Sequence, residues 1–286
     1  VRTRTRGRPD PACDMSTGFF TLGEIADQLL NEAAEQIQST FTRCVHSIYT
    51  LDHRGELTHL GSCSTCSYLE RRFLLTAHHV LKEAQFENLS IFGNHGLVDI
   101  EAEFFVTGRT SSLEEDSLDL AYADITDISE LSGLESFDLD RDAVSPHQRH
   151  ANGRHVGTLG YPNTKNEPKR DKTIRGEPHL VASLVVEPGP KTIDLGYNAQ
   201  SHVHIRHAPK RYTNESGRRV NAPKLKGMSG GLILDYGDYN NVDVLSGKKP
   251  IDIRALAIPI AEIKQDRLIV GTRLDLVRQH MTNVLT

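Results

Sequence analysis

The sequence predicts an all-β protein built in two strand-rich halves, with one helix ahead of them and one behind. Three observations carry this reading. Between Leu22 and Phe41 apolar residues recur at every third or fourth position (Leu22, Ile25, Leu29, Ala33, Ile37, Phe41), the stripe of an amphipathic helix. Beyond it that period vanishes, and short β-branched or aromatic segments take over, separated by Gly, Asn, Asp and Ser. Helical spacing returns only at the end, in L-D-L-V-R-Q-H-M, residues 274–281.

In chain order, residues 1–20 open with V-R-T-R-T-R-G-R-P-D-P, which is polar, arginine-rich and broken by proline, so a disordered arm is expected. The helix occupies 21–43. Segments 44–51, 73–77, 89–92, 100–107 and 118–125 read as strands of one antiparallel barrel or sandwich, a first domain over 44–150. Residues 126–152 are acidic and poor in apolar side chains, and read as a link. Segments 156–161, 179–186, 202–207, 231–235, 251–260 and 268–272 give the second strand-rich domain, 151–286, with the terminal helix packed across the body. No repeat of fixed period is present.

With 286 residues the chain can bury a core without metal or disulfide staples. Apolar content of 37%, charged content of 25% and a formal net charge of -5 describe an ordinary soluble globular protein, with no basic excess to suggest a nucleic-acid partner. Basic residues do crowd 165–175 and 206–226, read as solvated loop surface. No apolar run reaches the roughly 18 to 20 residues of a membrane span and no secretory h-region is seen, so a cytoplasmic address away from membranes is expected. Cys13, Cys44, Cys63 and Cys66 are too few and too irregular for a disulfide framework, which fits a reducing compartment. Cys63-Ser-Thr-Cys66 is half of a zinc motif whose other half is missing, and His202 and His204 share a strand face with no carboxylate or cysteine at ligand spacing. Neither a metal nor a cofactor is expected, and these histidines read as exposed strand residues.

Chemistry gathers at three places. K-L-K-G-M-S-G-G-L-I-L, residues 224–234, sets Ser229 among three glycines ahead of an apolar run. F-L-L-T-A-H-H-V, residues 73–80, drives a hydrophobic strand into two adjacent histidines. S-L-D-L-A-Y-A-D-I, residues 117–125, places Asp119 among apolar neighbours, where a carboxylate is costly to bury unless paired, and a histidine N–H is one suitable partner.

The order His79, Asp119, Ser229 resembles that of the chymotrypsin or trypsin-like serine protease family, whose triad works by general base, orienting acid and nucleophile. T-A-H-H (76–79) resembles its T-A-A-H box, Asp119-Leu120-Ala121 its D-I-A box, and Gly227-Met228-Ser229-Gly230-Gly231 its G-D-S-G-G loop. The likeness runs from about residue 44 to 272 in strand order, with about a dozen residues in the motifs themselves. It implies two antiparallel six-stranded β-barrels and a serine endopeptidase acting on a protein or peptide substrate. The N–H groups of Gly227 and Ser229 would form the oxyanion hole. Residues 224–226 and 255–259 would line the primary pocket, with Lys224, Lys226, Ala257 and Ile258 named for that role. Met228 stands where digestive members carry the aspartate of the zymogen switch, which implies a protein that folds directly into an active or ligand-switchable form, an activating partner being left open. Val80 replaces the cysteine that often follows the histidine, and Pro223 the acid that selects Lys or Arg, so no basic preference is expected.

Two rivals stand beside this reading. One is a catalytically silent protease-fold module that binds peptides or partner proteins. The other is an esterase or acyl transferase, whose expected order of Ser, acid, His is not that of this chain.

Overall fold

The computed structural model describes residues 21–51, 55–84, 88–93, 96–107, 117–144, 152–163, 176–207, 212–213, 219–220 and 225–286. The expected arm (1–20), the basic stretch 165–175, Pro223 and Lys224 lie outside them.

Helix α1 (Leu22–Phe41) starts where the sequence pattern starts, because Thr21 caps it. The Thr21 hydroxyl accepts the Glu24 N–H at 3.2 Å while the Glu24 carboxylate accepts the Thr21 N–H at 2.7 Å, a reciprocal capping box. Only the later part of its stripe, Ala33, Ile37 and Phe41, is buried, and Leu22 at the tip is 71% exposed.

The body is mostly β. A first sheet runs β5-β4-β1-β2-β3-β7-β6, built from β1 (Val45–Leu51), β2 (Leu57–Tyr68), β3 (Arg71–Ala77), β4 (Leu89–Gly93), β5 (Gly96–Asp99), β6 (Phe104–Val106) and β7 (Leu120–Asp124). Its neighbours are antiparallel, except for the two-residue β8 (Phe137–Asp138), which lies parallel to β2. A second antiparallel sheet has the order β10-β9-β14-β15-β16-β11, from β9 (His155–Gly160), β10 (His179–Leu184), β11 (His202–Arg206), β14 (Leu232–Asp235), β15 (Arg254–Ile263) and β16 (Leu268–Arg273). A bridge between Val185 and Ile205 draws its two edges together. A small ribbon pairs β12 (Tyr212–Thr213) with β13 (Arg219–Val220). Short helices α2 (His78–Glu83), α3 (Leu139–Ala143), α4 (Pro190–Asp194) and α5 (Val242–Leu245) interrupt the strands, and α6 (Leu274–Leu285) ends the chain. No helix among the described residues is long and apolar enough to cross a membrane.

One core is shared between the sheets. Ile37 of α1, Phe73, Leu75 and Tyr122 of the first sheet, Leu159, Leu232 and Ile258 of the second, and Val277 and Met281 of α6 belong to a single buried cluster. Burial of apolar surface, worth roughly 25 cal/mol per Å², ties the two halves together. A second cluster, mostly of the first sheet, also takes in Ile260, Ile263 and Val270 of the second, and a third lies within the second half.

Three expectations are corrected. β2 was not visible in the sequence, yet it is the longest strand and is central to the first sheet. The stretch 126–144 is more than a link: Leu131 and Leu139 are fully buried, and β8 and α3 pack onto β2 and α6. His202 and His204 are not exposed: each is 2% accessible, because each donates a ring N–H to a backbone carbonyl, of Ser117 at 2.6 Å and Tyr197 at 3.1 Å. Cys63 and Cys66, three apart on one strand, point to opposite faces and enter different clusters. Burial pushes the Cys44 thiol up to about 12 and the other two higher still.

Candidate active site

The histidine is placed by a strand that must stop. β3 is buried from Phe73 to Ala77 and pairs with β7, with Ala77 opposite Leu120. That register sets the residue before β7, Asp119, against the first turn of α2. There the Asp119 carbonyl accepts the His78 N–H (2.9 Å), its Oδ1 accepts the His79 N–H (2.9 Å), and its Oδ2 accepts the His79 Nδ1–H at 2.5 Å. Three bonds from one residue fix both the backbone and the ring of His79. Asp119 holds a left-handed φ of 45°, a conformation that Asp tolerates better than most residues but that still costs about 1 kcal/mol. Burial disfavours the charged imidazole, but the hydrogen bond and charge of Asp119, with Glu83 adding to them, outweigh it and raise the His79 pKa above its ordinary value.

The segment before Asp119 is gripped from the other sheet. His202 Nε2–H donates to the Ser117 carbonyl and the Thr272 hydroxyl to the Leu118 carbonyl at 2.5 Å. Burial lowers the His202 pKa, against the pull of the Ser117 and Asn198 carbonyls, so this strut is a neutral imidazole.

Ser229 is the second residue of the later of two consecutive tight turns. Met228 N–H donates to the Leu225 carbonyl (2.9 Å) and Gly231 N–H to the Met228 carbonyl (3.1 Å), with Gly227 at φ 96° and Gly230 at φ 87° in the third positions. A positive φ there is what a type II turn demands. Space requires glycine as well: a Cβ on Gly227 would land on the Asn163 side chain and within 2.7 Å of the Tyr161 carbonyl, and one on Gly230 would strike the Ser62 carbonyl. The loop is tied to both sheets, with Ser62 N–H donating to the Ser229 carbonyl (3.0 Å) and Gly230 N–H to the Pro259 carbonyl (2.9 Å).

These ties orient the loop's amides. In a trans peptide the C=O and the following N–H point in opposite directions. The Lys226 carbonyl accepts the Asn163 N–H at 2.8 Å, which turns the Gly227 N–H away from Asn163; the Met228 carbonyl is taken by Gly231, which turns the Ser229 N–H out of that turn. Among the described residues neither N–H has a hydrogen-bond partner. Asn163 is itself held, its Oδ1 lying 3.0 Å from His59 Nδ1; His59 is pushed down to about 4 by burial, against the bonds to Asn163 and Gly61, and donates as a neutral ring.

His79 and Ser229 line the same cavity, about 200 Å³ in volume, whose walls are Leu225, Met228, Ile269 and residues 259–261, with Thr158, Lys226 and Glu262 as further lining. Among the described residues the Ser229 hydroxyl has no hydrogen-bond partner, His79 included. The structure therefore brings together His79, Asp119, Ser229, Gly227 and Lys226. Ala257 and Ile258 do not line the cavity: both are fully buried in apolar clusters, and the wall is supplied one or two residues further along β15.

Sequence reading missed the hub of the site. Ser62, fully buried on β2, donates its hydroxyl to the Gly227 carbonyl (2.7 Å) and accepts the Tyr161 N–H (2.8 Å), while its carbonyl accepts the Thr76 hydroxyl (2.8 Å). Nothing in the sequence around it, a serine among small neighbours, singled it out. No protein-family model matches the chain, and no curated protein sequence matches it.

Proposed function

We propose that the protein is a serine endopeptidase of the trypsin-like kind, its two sheets acting as two barrels with the site in the seam between them. The observation that carries this reading is the grip of Asp119 on both the backbone and Nδ1 of His79, beside a cavity that Ser229 also lines. An acid that fixes Nδ1–H leaves the other ring nitrogen free to act as base. His79 takes the Ser229 proton as the hydroxyl attacks a peptide carbonyl, then returns it to the leaving amine; water repeats the cycle to release the acyl group. The two unpartnered N–H groups supply donors for the oxyanion, each worth roughly 2.7 to 4 kcal/mol of barrier. The walls of the cavity are apolar, which argues against a basic side chain as the one bound there.

A second reading is a peptide-binding module with a silent triad, favoured by the missing hydrogen bond between Ser229 and His79. Such bonds are often long before substrate arrives. Labelling with a fluorophosphonate, read by intact mass, separates the two. Stoichiometric modification of the wild type, lost in both Ser229→Ala and His79→Ala, is expected; an unlabelled, folded wild type would leave the binding module.

A further inference from the structure

Among the residues that line this cavity, Thr158 carries a buried polar atom without a partner. Thr158 lies on β9 facing the interior of the second sheet, is 1% exposed, and its hydroxyl has no hydrogen-bond partner among the described residues. Its β9 neighbour on that face, Val156, clusters with Leu225, Met228 and Ile269, and the last three line the same cavity as Thr158. A buried hydroxyl left unpaired is unfavourable by about 1 to 3 kcal/mol, and a native structure rarely keeps one without a use. Valine would have filled the same volume without that penalty.

We propose that Thr158 is a specificity-determining residue, which selects a glutamine side chain in the cavity. This rests on the peptidase reading and names its substrate class. The apolar walls suit an unbranched methylene stem. The hydroxyl both donates and accepts, so it matches a neutral tip that does the same, which an amide does. Charged tips are disfavoured, because the charged lining residues, Lys226 and Glu262, are solvent-exposed and a charge buried beside Thr158 would be unpaired. Methionine has the stem without the amide, and would leave the hydroxyl unsatisfied.

The test uses tetrapeptides identical except for a C-terminal Gln, Met, Glu or Lys, which bind as products without any bond being cleaved. Dissociation constants are measured for the wild type, Thr158→Val, Thr158→Ser and Ser229→Ala. The wild type should bind the Gln peptide about tenfold more tightly than the Met peptide. Thr158→Val should abolish that ratio, whereas Thr158→Ser and Ser229→Ala should keep it. Thr158→Val should unfold at a temperature equal to or above that of the wild type, so a lost ratio is not lost folding. An unchanged ratio in Thr158→Val, a wild-type preference for Met, Glu or Lys, or no binding of any peptide would overturn the proposal. A Gln preference that depends on Thr158 in a protein that no fluorophosphonate labels would overturn the peptidase reading alone; labelling with an unchanged ratio would overturn Thr158 alone.

Discussion

Asp119 does more with one carboxylate than orient a ring. Because Oδ1 takes the His79 backbone N–H and Oδ2 the ring, the acid fixes where α2 begins as well as which tautomer it carries. If the protein is the peptidase proposed above, Asp119→Asn should therefore cost activity through the tautomer, by roughly 10⁴ in kcat, with substrate affinity little changed. A raised His79 pKa also sets a sign. The base must be neutral, so kcat/KM should climb with pH through a midpoint above 6.5, and Asp119→Asn should move that midpoint down. Stability runs the other way: the contribution of the protonated ring is fully present below the unfolded pKa and is lost as pH rises through the folded one. A pH–rate profile beside an NMR titration of the His79 ring checks both; a midpoint below 6.5 would contradict the geometry.

At the scale of elements, β2 governs the nucleophile loop. It holds Ser229 by a backbone bond, Gly227 by a side chain, and crowds Gly230 so closely that no Cβ fits. Gly230→Ala should destabilise the fold by at least about 1 to 3 kcal/mol, from the left-handed φ alone, and should abolish labelling by displacing Ser229; chemical denaturation and mass spectrometry read the two effects. β2 also shows why part of the site was illegible. The motifs around His79, Asp119 and Ser229 were readable because hydrophobic strands flank them, and α1 because its cap and stripe are local. L-T-H-L-G-S-C-S-T-C-S-Y carries neither alternation nor β-branched bulk, since it is buried on both faces and uses small polar side chains to meet loops far away in sequence. Those partners, such as Gly227 for Ser62 and Glu135 for Thr65, exist only in three dimensions. The pocket wall was displaced along β15 for a related reason: the strand's register shifts between Pro259 and Ala261, and no residue type announces a bulge of that kind.

For the molecule as a whole, neither sheet carries the site alone. The first sheet supplies His79 and Asp119, but the carbonyls just before Asp119 are held by His202 and Thr272 of the second; the second supplies Ser229, but Ser62 of the first anchors its loop. Thr272→Val keeps the shape of the side chain and leaves the Leu118 carbonyl without its hydroxyl. Loss of about 1 to 2 kcal/mol is expected in denaturation, with a fall in kcat larger than any change in KM, because the error enters at the acid and not in the cavity. The tie between Ser62 and Gly227 spans 165 residues. Contacts so distant in sequence close late in folding, after most of the chain has been synthesised. On the proposed peptidase reading, a nascent or half-folded chain thus lacks a working nucleophile, and the order of assembly would keep the protein silent beside the unfolded polypeptides among which it is made.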